Sequence, residues 1–164
     1  MILFTDGSVH AASGIGYGAC LWVEDCSAPI DTVKSEVQLK QFRHTSSSRL
    51  ELQALLWALG DWLENHAGEQ AFIECYTDSQ TIVALPQRRA KLEANNFCSN
   101  KGVLLSNADL YQQFYALMDN IAHKNIPCKL IKIAGHQAQK NKTPLDHLFT
   151  LVDKAARNAV RNIA

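Results

Sequence analysis

The hydrophobic period of this chain changes between its first third and the stretch that follows, and that change decides the fold class. Leu52, Leu55, Leu56, Leu59, Trp62 and Leu63 recur at a spacing near 3.6, which predicts an amphipathic helix starting at Thr45 to Ser48 and stopping at Asn65 to Gly68. Before it, the pattern belongs to strands. Ile2, Leu3 and Phe4 are consecutively apolar, as in a strand buried on both faces, and Asp6-Gly7 breaks the run. Ile15, Tyr17, Ala19, Leu21 and Val23 alternate with Gly16, Gly18, Cys20 and Trp22, a second strand. After a turn at Pro29, Val33, Val37 and Leu39 alternate with Lys34, Glu36, Gln38 and Lys40, which predicts a third strand with one wet face.

Beyond the helix, Phe72 to Thr77 reads as strand four, followed by a short helix from Asp78-Ser79 to Leu85, broken at Pro86. Gln87 to Leu92 is a basic helical piece carrying Arg88, Arg89 and Lys91, and Phe97 to Ser106 is irregular. Leu110, Phe114, Leu117, Met118 and Ile121 mark a further helix, and Cys128 to Ala134 a fifth strand. Gly135 to Pro144 reads as a mobile polar loop, and a last helix begins near Leu145 or Val152. The order implies an α/β chain: one mixed five-stranded sheet with helices on its faces, a single domain over residues 1–164.

Composition narrows the function classes. No apolar run approaches the roughly 18 residues a membrane helix needs, so no membrane partner is expected. Strand-like sequence from Ile2 onward argues against a targeting peptide, and a cytoplasmic protein is expected. The five cysteines are odd in number and form no CxxC pair, which argues against a disulfide framework or a zinc site. Cys20, Cys75 and Cys128 lie in apolar strand-like runs and read as small core residues. The formal net charge of +0 lacks the basic excess usual in nucleic-acid binders, although an acidic site can offset a basic patch in the sum.

Taken singly, the acids have ordinary readings: Asp6 as a turn residue, Glu51 as partner of Ser48 in a capping box, Asp78 as a helix N-cap, Asp153 as a solvated helical charge. Taken together they say more. If strands one and four are parallel neighbours, Asp6 and Asp78 emerge at one sheet edge, and Glu51 lies in the first turn of a helix able to cover it. Carboxylates converging there repel unless a cation neutralises them, and oxygen-only ligands favour Mg²⁺ or Mn²⁺. Two such ions clamp the attacking and leaving oxygens in phosphodiester hydrolysis.

Six motifs, in order, make the pattern specific. Phe4-Thr5-Asp6-Gly7-Ser8 with Gly14-x-Gly-Tyr17-Gly18 resembles the opening of type 1 ribonuclease H. Ser48-Arg49-Leu50-Glu51-Leu52-x-Ala54, Tyr76-Thr77-Asp78-Ser79-Gln80, Asn107-Ala108-Asp109-Leu110-Tyr111, Gly135-His136-Gln137 and Asp153-Lys154-Ala155-Ala156-Arg157 resemble that family's later motifs. The resemblance implies a ribonuclease H-like fold and an endonuclease, acting as a monomer, that cuts the RNA strand of RNA–DNA hybrids and leaves 3′-hydroxyl and 5′-phosphate ends. It implies two metal ions held by Asp6, Glu51, Asp78 and Asp153, with His136 assisting proton transfer or product release.

It further implies that Ser46 and Asn107 grip a DNA-strand phosphate, that Gln80 touches the RNA strand, and that Tyr111 lies against the DNA. Ser47 and Ser48 stand where the family often has asparagines reading 2′-hydroxyls. Arg88 and Arg89 fall in the region of its basic protrusion. The chain departs from the pattern at Ala12, in the missing Asn-Glu pair, and in a longer stretch between His136 and Asp153, where Asp146 fits the family spacing better. Asp153 is preferred because Asp-x-x-Ala-Arg-x-Ala follows it. Two other functions keep the fold: a nuclease acting on another nucleic acid, or a hybrid-binding module without turnover.

Overall fold

The computed structural model describes residues 1–66, 71–134 and 142–163. The elements run β1 (Ile2–His10), β2 (Ile15–Val23), α1 (Ile30–Val33), β3 (Gln38–Phe42), α2 (Ser47–Asn65), β4 (Ile73–Thr77), α3 (Gln80–Ala94), α4 (Ala108–His123), β5 (Cys128–Lys132) and α5 (Pro144–Arg161). They form one five-stranded sheet in the order β3-β2-β1-β4-β5. The β1–β2 and β2–β3 pairs are antiparallel; β1–β4 and β4–β5 are parallel. This is the expected mixed sheet with helices on both faces.

The central strand feeds two cores because its side chains alternate faces. Leu3 packs with α2, α3 and α4 residues, among them Leu55, Leu59, Leu85 and Phe114. Phe4 packs on the other face with Leu148, Phe149, Val152 and Ala156 of α5. Helix α2 lies directly on the sheet because glycines face it. A Cβ on Gly18 would stand 2.9 Å from Ala54 Cβ, and one on Gly16 would stand 2.6 Å from Leu50 Cδ2.

Several local expectations are corrected. Asp6-Gly7 does not end β1: pairing with β2 continues through Ser8↔Tyr17 to His10↔Ile15. The third strand is shorter than its alternation suggested, because residues 30–36 form α1 and a single 3-10 turn. Val33 and Val37 are four apart, a spacing that also suits a helix, and Val33 is buried in the α5-side core. Pro86 does not break α3, which runs from Gln80 to Ala94 with Ile82, Leu85 and Leu92 buried, so packing outweighs the lost backbone bond. Helix α5 starts at Pro144, at the earlier of the two expected positions. The mobile loop expected before it lies largely outside the described residues.

All five cysteines are free; Cys20 and Cys75 are buried and Cys128 is partly so. Cys75 Sγ and Cys128 Sγ are 3.9 Å apart. Among the described residues no helix is long and apolar enough to cross a membrane.

Candidate active site

The site follows from strand register. Beside β4, β1 pairs Ile2↔Glu74, Leu3↔Cys75 and Phe4↔Tyr76. Extending that register two residues brings Asp6 level with Asp78, at the carboxyl end of β4. Asp6 points to the same face as Phe4, the face covered by α5. There its carboxyl group is in hydrogen-bonding contact with Asp153, which α5 presents between Phe149 and Ala156 on its buried stripe. Glu51 approaches from α2 beside Ser79, the residue after Asp78.

Electrostatics bind these acids into one system. Burial is the largest influence on Asp6. With the Asp78 and Asp153 charges it pushes the Asp6 carboxyl up to about 8, against the Gly7 N–H, which donates to Asp6 Oδ1 at 2.8 Å. Burial likewise raises Glu51, the Ser79 side chain opposes it, and the Asp78 charge adds to it. Asp153 is paired with Arg157 one turn along α5, at 2.8 Å. Two touching carboxyl groups need either a shared proton or a cation between them. Among the described residues no three His, Cys, Asp or Glu side chains are already grouped to hold a metal ion. The acids instead stand in neighbouring pairs. Their donors are oxygen only, a set that fits hard divalent cations such as Mg²⁺ and Mn²⁺ and not zinc or copper.

The structure separates Asp146 from the acid row. Thr143 caps α5, its hydroxyl receiving the Asp146 N–H, while Asp146 Oδ2 accepts from the Thr143 N–H at 2.8 Å and from its hydroxyl at 2.7 Å. That reciprocal capping box occupies Asp146. The alternative box at Ser48 and Glu51 is not formed: Ser46 is the N-cap of α2, and its side chain makes no cap bond. Asp78 is not an N-cap either, since Ser79 holds that position before α3. His136 lies outside the described residues.

The other expected residues flank the acids. Ser46, Ser47 and Ser48 begin α2. Asn107, the N-cap of α4, is buried, and its Oδ1 accepts from Arg49 Nη1 at 3.5 Å. Gln80 opens α3, and its Oε1 accepts from Lys132 Nζ at 2.9 Å. Tyr111 is buried, with the Arg88 guanidinium 5.8 Å from its ring centre. Arg89 is engaged with Asp119 at 2.8 Å and Glu93 at 2.8 Å. Of the two arginines, Arg88 is therefore the freer to meet a phosphate.

Sequence reasoning gave no role to Arg49 or Lys132. Arg49 reaches Asp109 Oδ1 at 2.9 Å and ties α2 to α4 beside Asn107. Its signal was present, since Arg49 and Asp109 each sit inside a quoted motif. Lys132 sits opposite Thr77 in the β4–β5 register, one residue from Asp78, and only strand pairing brings it there.

Comparison with known proteins agrees with the fold. The family model described as RNase H matches residues 1–160. A ribonuclease H of Rickettsia massiliae is 29% identical over 153 residues, covering 90% of this chain and 87% of that protein. The solution structure of the PFV RNase H domain superposes with a TM-score of 0.65 at 16% identity, over 98% of this chain and 93% of that one. LC11-RNase H1, solved in complex with RNA/DNA hybrid, gives a TM-score of 0.60 at 15% identity over 97% of this chain and 98% of that one. With the fold, the acid row and a family match across nearly its whole length in agreement, this chain belongs to the RNase H family.

Proposed function

We propose that this protein is a metal-dependent endoribonuclease that hydrolyses the RNA strand of RNA–DNA hybrids. The observation that carries the reading is the contact of Asp6 with Asp153 beside Asp78, three acids from distant parts of the chain at one strand end. Family membership and relatives named ribonuclease H support it. Asp6, Glu51, Asp78 and Asp153 would hold two divalent ions, Asp153 turning from Arg157 to do so. When bound, the ions activate water and neutralise charge on the leaving oxygen.

The chain's own groups do the rest. Strand β1 holds Asp6 in the sheet, Asp78 directly follows β4, and Ser79 would orient Glu51. Gln80, held by Lys132, faces the RNA strand. Ser46, Ser47, Ser48, Asn107, Tyr111, Arg88 and Arg89 line the path of the hybrid. Water adds across the P–O3′ bond, the proton goes to the departing O3′, and the 5′ end keeps the phosphate. His136 would carry that proton or ease product release. Hybrid is recognised by groove shape and 2′-hydroxyls rather than base sequence.

The direct test is cleavage of labelled hybrid, duplex DNA, duplex RNA and single-stranded RNA with Mg²⁺ or Mn²⁺. Cutting confined to the RNA of the hybrid is expected; equal cutting of duplex RNA would favour a different substrate, and binding without cutting a non-catalytic module. Asp146 and Asp153 separate in the same assay. Asp153→Asn should stop cleavage, whereas Asp146→Ala should keep it and lose only the capping box, about 1 kcal/mol or roughly 2–4 °C in melting temperature. The reverse result would move the last ligand to Asp146.

A further inference from the structure

Between the carboxyl end of β5 and helix α5 lies a cavity of about 280 Å³, walled by Lys142, Asp146, Phe149, Thr150, Asp153 and Lys154. It shares Asp153 with the acid row. Lys142 belongs to none of the six motifs, so no part of the proposed chemistry accounts for it.

The state of Lys142 is unusual for a lysine facing two aspartates. An ammonium has three N–H donors. Among the described residues its one hydrogen-bond acceptor is Thr150 Oγ1, at 2.8 Å, and no ion pair joins it to either acid. The acids are engaged elsewhere. Asp146 Oδ2 serves the capping box, and Asp153 takes Arg157 at 2.8 Å. Thr150 donates its own hydroxyl proton to the Asp146 carbonyl at 2.7 Å, which leaves an oxygen lone pair for Lys142. Thr150 is four residues after Asp146 and three before Asp153, so all three share one helix face. The lysine is thus anchored at the cavity wall, one turn from Asp153, with two N–H donors that no hydrogen bond among the described residues uses.

A part-buried cation without a carboxylate partner calls for an anion. The anion within reach of a phosphodiester-cutting site is another phosphate of the same strand. We infer that this cavity is a phosphate subsite: Lys142, with Lys154 beside it, takes a non-bridging oxygen of an RNA-strand phosphate neighbouring the one cleaved. The choice of a nucleic-acid phosphate rests on the proposed function; the anchored, unpaired ammonium does not.

The test compares wild type with Lys142→Met and Lys142→Arg in hybrid cleavage and in equilibrium hybrid binding without turnover, from about 50 to 200 mM salt. Lys142→Met should raise KM and Kd about tenfold, with the effect in KM rather than kcat. The slope of log Kd against log salt should become shallower by about one, and Lys142→Arg should recover most of both. A merely structural lysine would not move the slope. A wild-type slope in Lys142→Met, or a loss confined to kcat, overturns the subsite. Lys142→Gln covers a folding defect in the methionine variant and is held to the same criterion. Wild-type protein that binds hybrid but never cuts it would overturn the nuclease reading alone, because the slope in binding still reports on Lys142.

Discussion

Replacing Asp6 by asparagine is expected to abolish cleavage and, in the same step, to raise the melting temperature of metal-free protein. The loss follows from removing a ligand shared by the acid row. Metal ions supply several kcal/mol of transition-state charge stabilisation, so a fall of at least about a thousandfold in kcat is expected. The gain in stability follows from the folded carboxyl group. Its pKa is raised from 3.8 to about 8, first by burial and then by the neighbouring charges.

An acid raised on folding holds its proton in the folded state while the unfolded chain has already released it. Its stabilising contribution is complete below about pH 4 and declines as pH climbs to about 8. In EDTA the wild type should therefore melt at progressively lower temperature from pH 5 to pH 8, by a margin on the order of a few kcal/mol. Asp6→Asn should flatten that profile, and Mg²⁺ should reverse it in the wild type only. Calorimetry across this pH range decides the matter. A wild-type profile that is flat, or one that Asp6→Asn leaves unchanged, would remove the electrostatic basis of the site.

The second large effect comes from packing. Gly18→Val should destabilise the protein by about 2–3 kcal/mol, roughly 5–10 °C in melting temperature, and slow cleavage more than tenfold at saturating substrate. Even a Cβ on Gly18 would lie 2.9 Å from Ala54 Cβ and 3.1 Å from Phe42 Cε2. Ala54 cannot swing away, having no rotamer to change, so α2 itself must lift from the sheet. Glu51 rides one turn before Ala54 and moves with it. Gly60→Ala is the control, since no atom lies within 4 Å of a Cβ there and the helix continues on both sides. A Gly18→Val protein with wild-type turnover would show that Glu51 does not depend on the close seating of α2.

How much of this could be read in advance depended on how far each interaction reaches along the chain. Helix α2 was legible because Leu52 to Leu63 carry its period within one short window. The extent of β1 was not, because Asp6-Gly7 is turn-like locally and only pairing with β2 keeps it extended. Pro86 misled for the same reason: Leu85 and Leu92 hold α3 together through contacts made elsewhere. The acids were legible as motifs, yet their meeting depends on the parallel register between β1 and β4. Spacing pointed to Asp146 and the residues after Asp153 pointed to Asp153; the capping box that Asp146 forms with Thr143 depends on where α5 begins. Lys132 and Lys142 had no signal at all, since strand pairing and helix docking alone bring them to the site.

The division of the core between the two faces of the sheet has a consequence for the cell that makes this protein. Glu51 belongs to the α2 side and Asp153 to the α5 side, and neither half assembles the full set of acids. A chain caught part-way through folding, with its larger core formed but its terminal helix still undocked, would be a compact body without a cutting edge. On the proposed function, cleavage would then await the docking of α5, which carries Asp153 to the other acids.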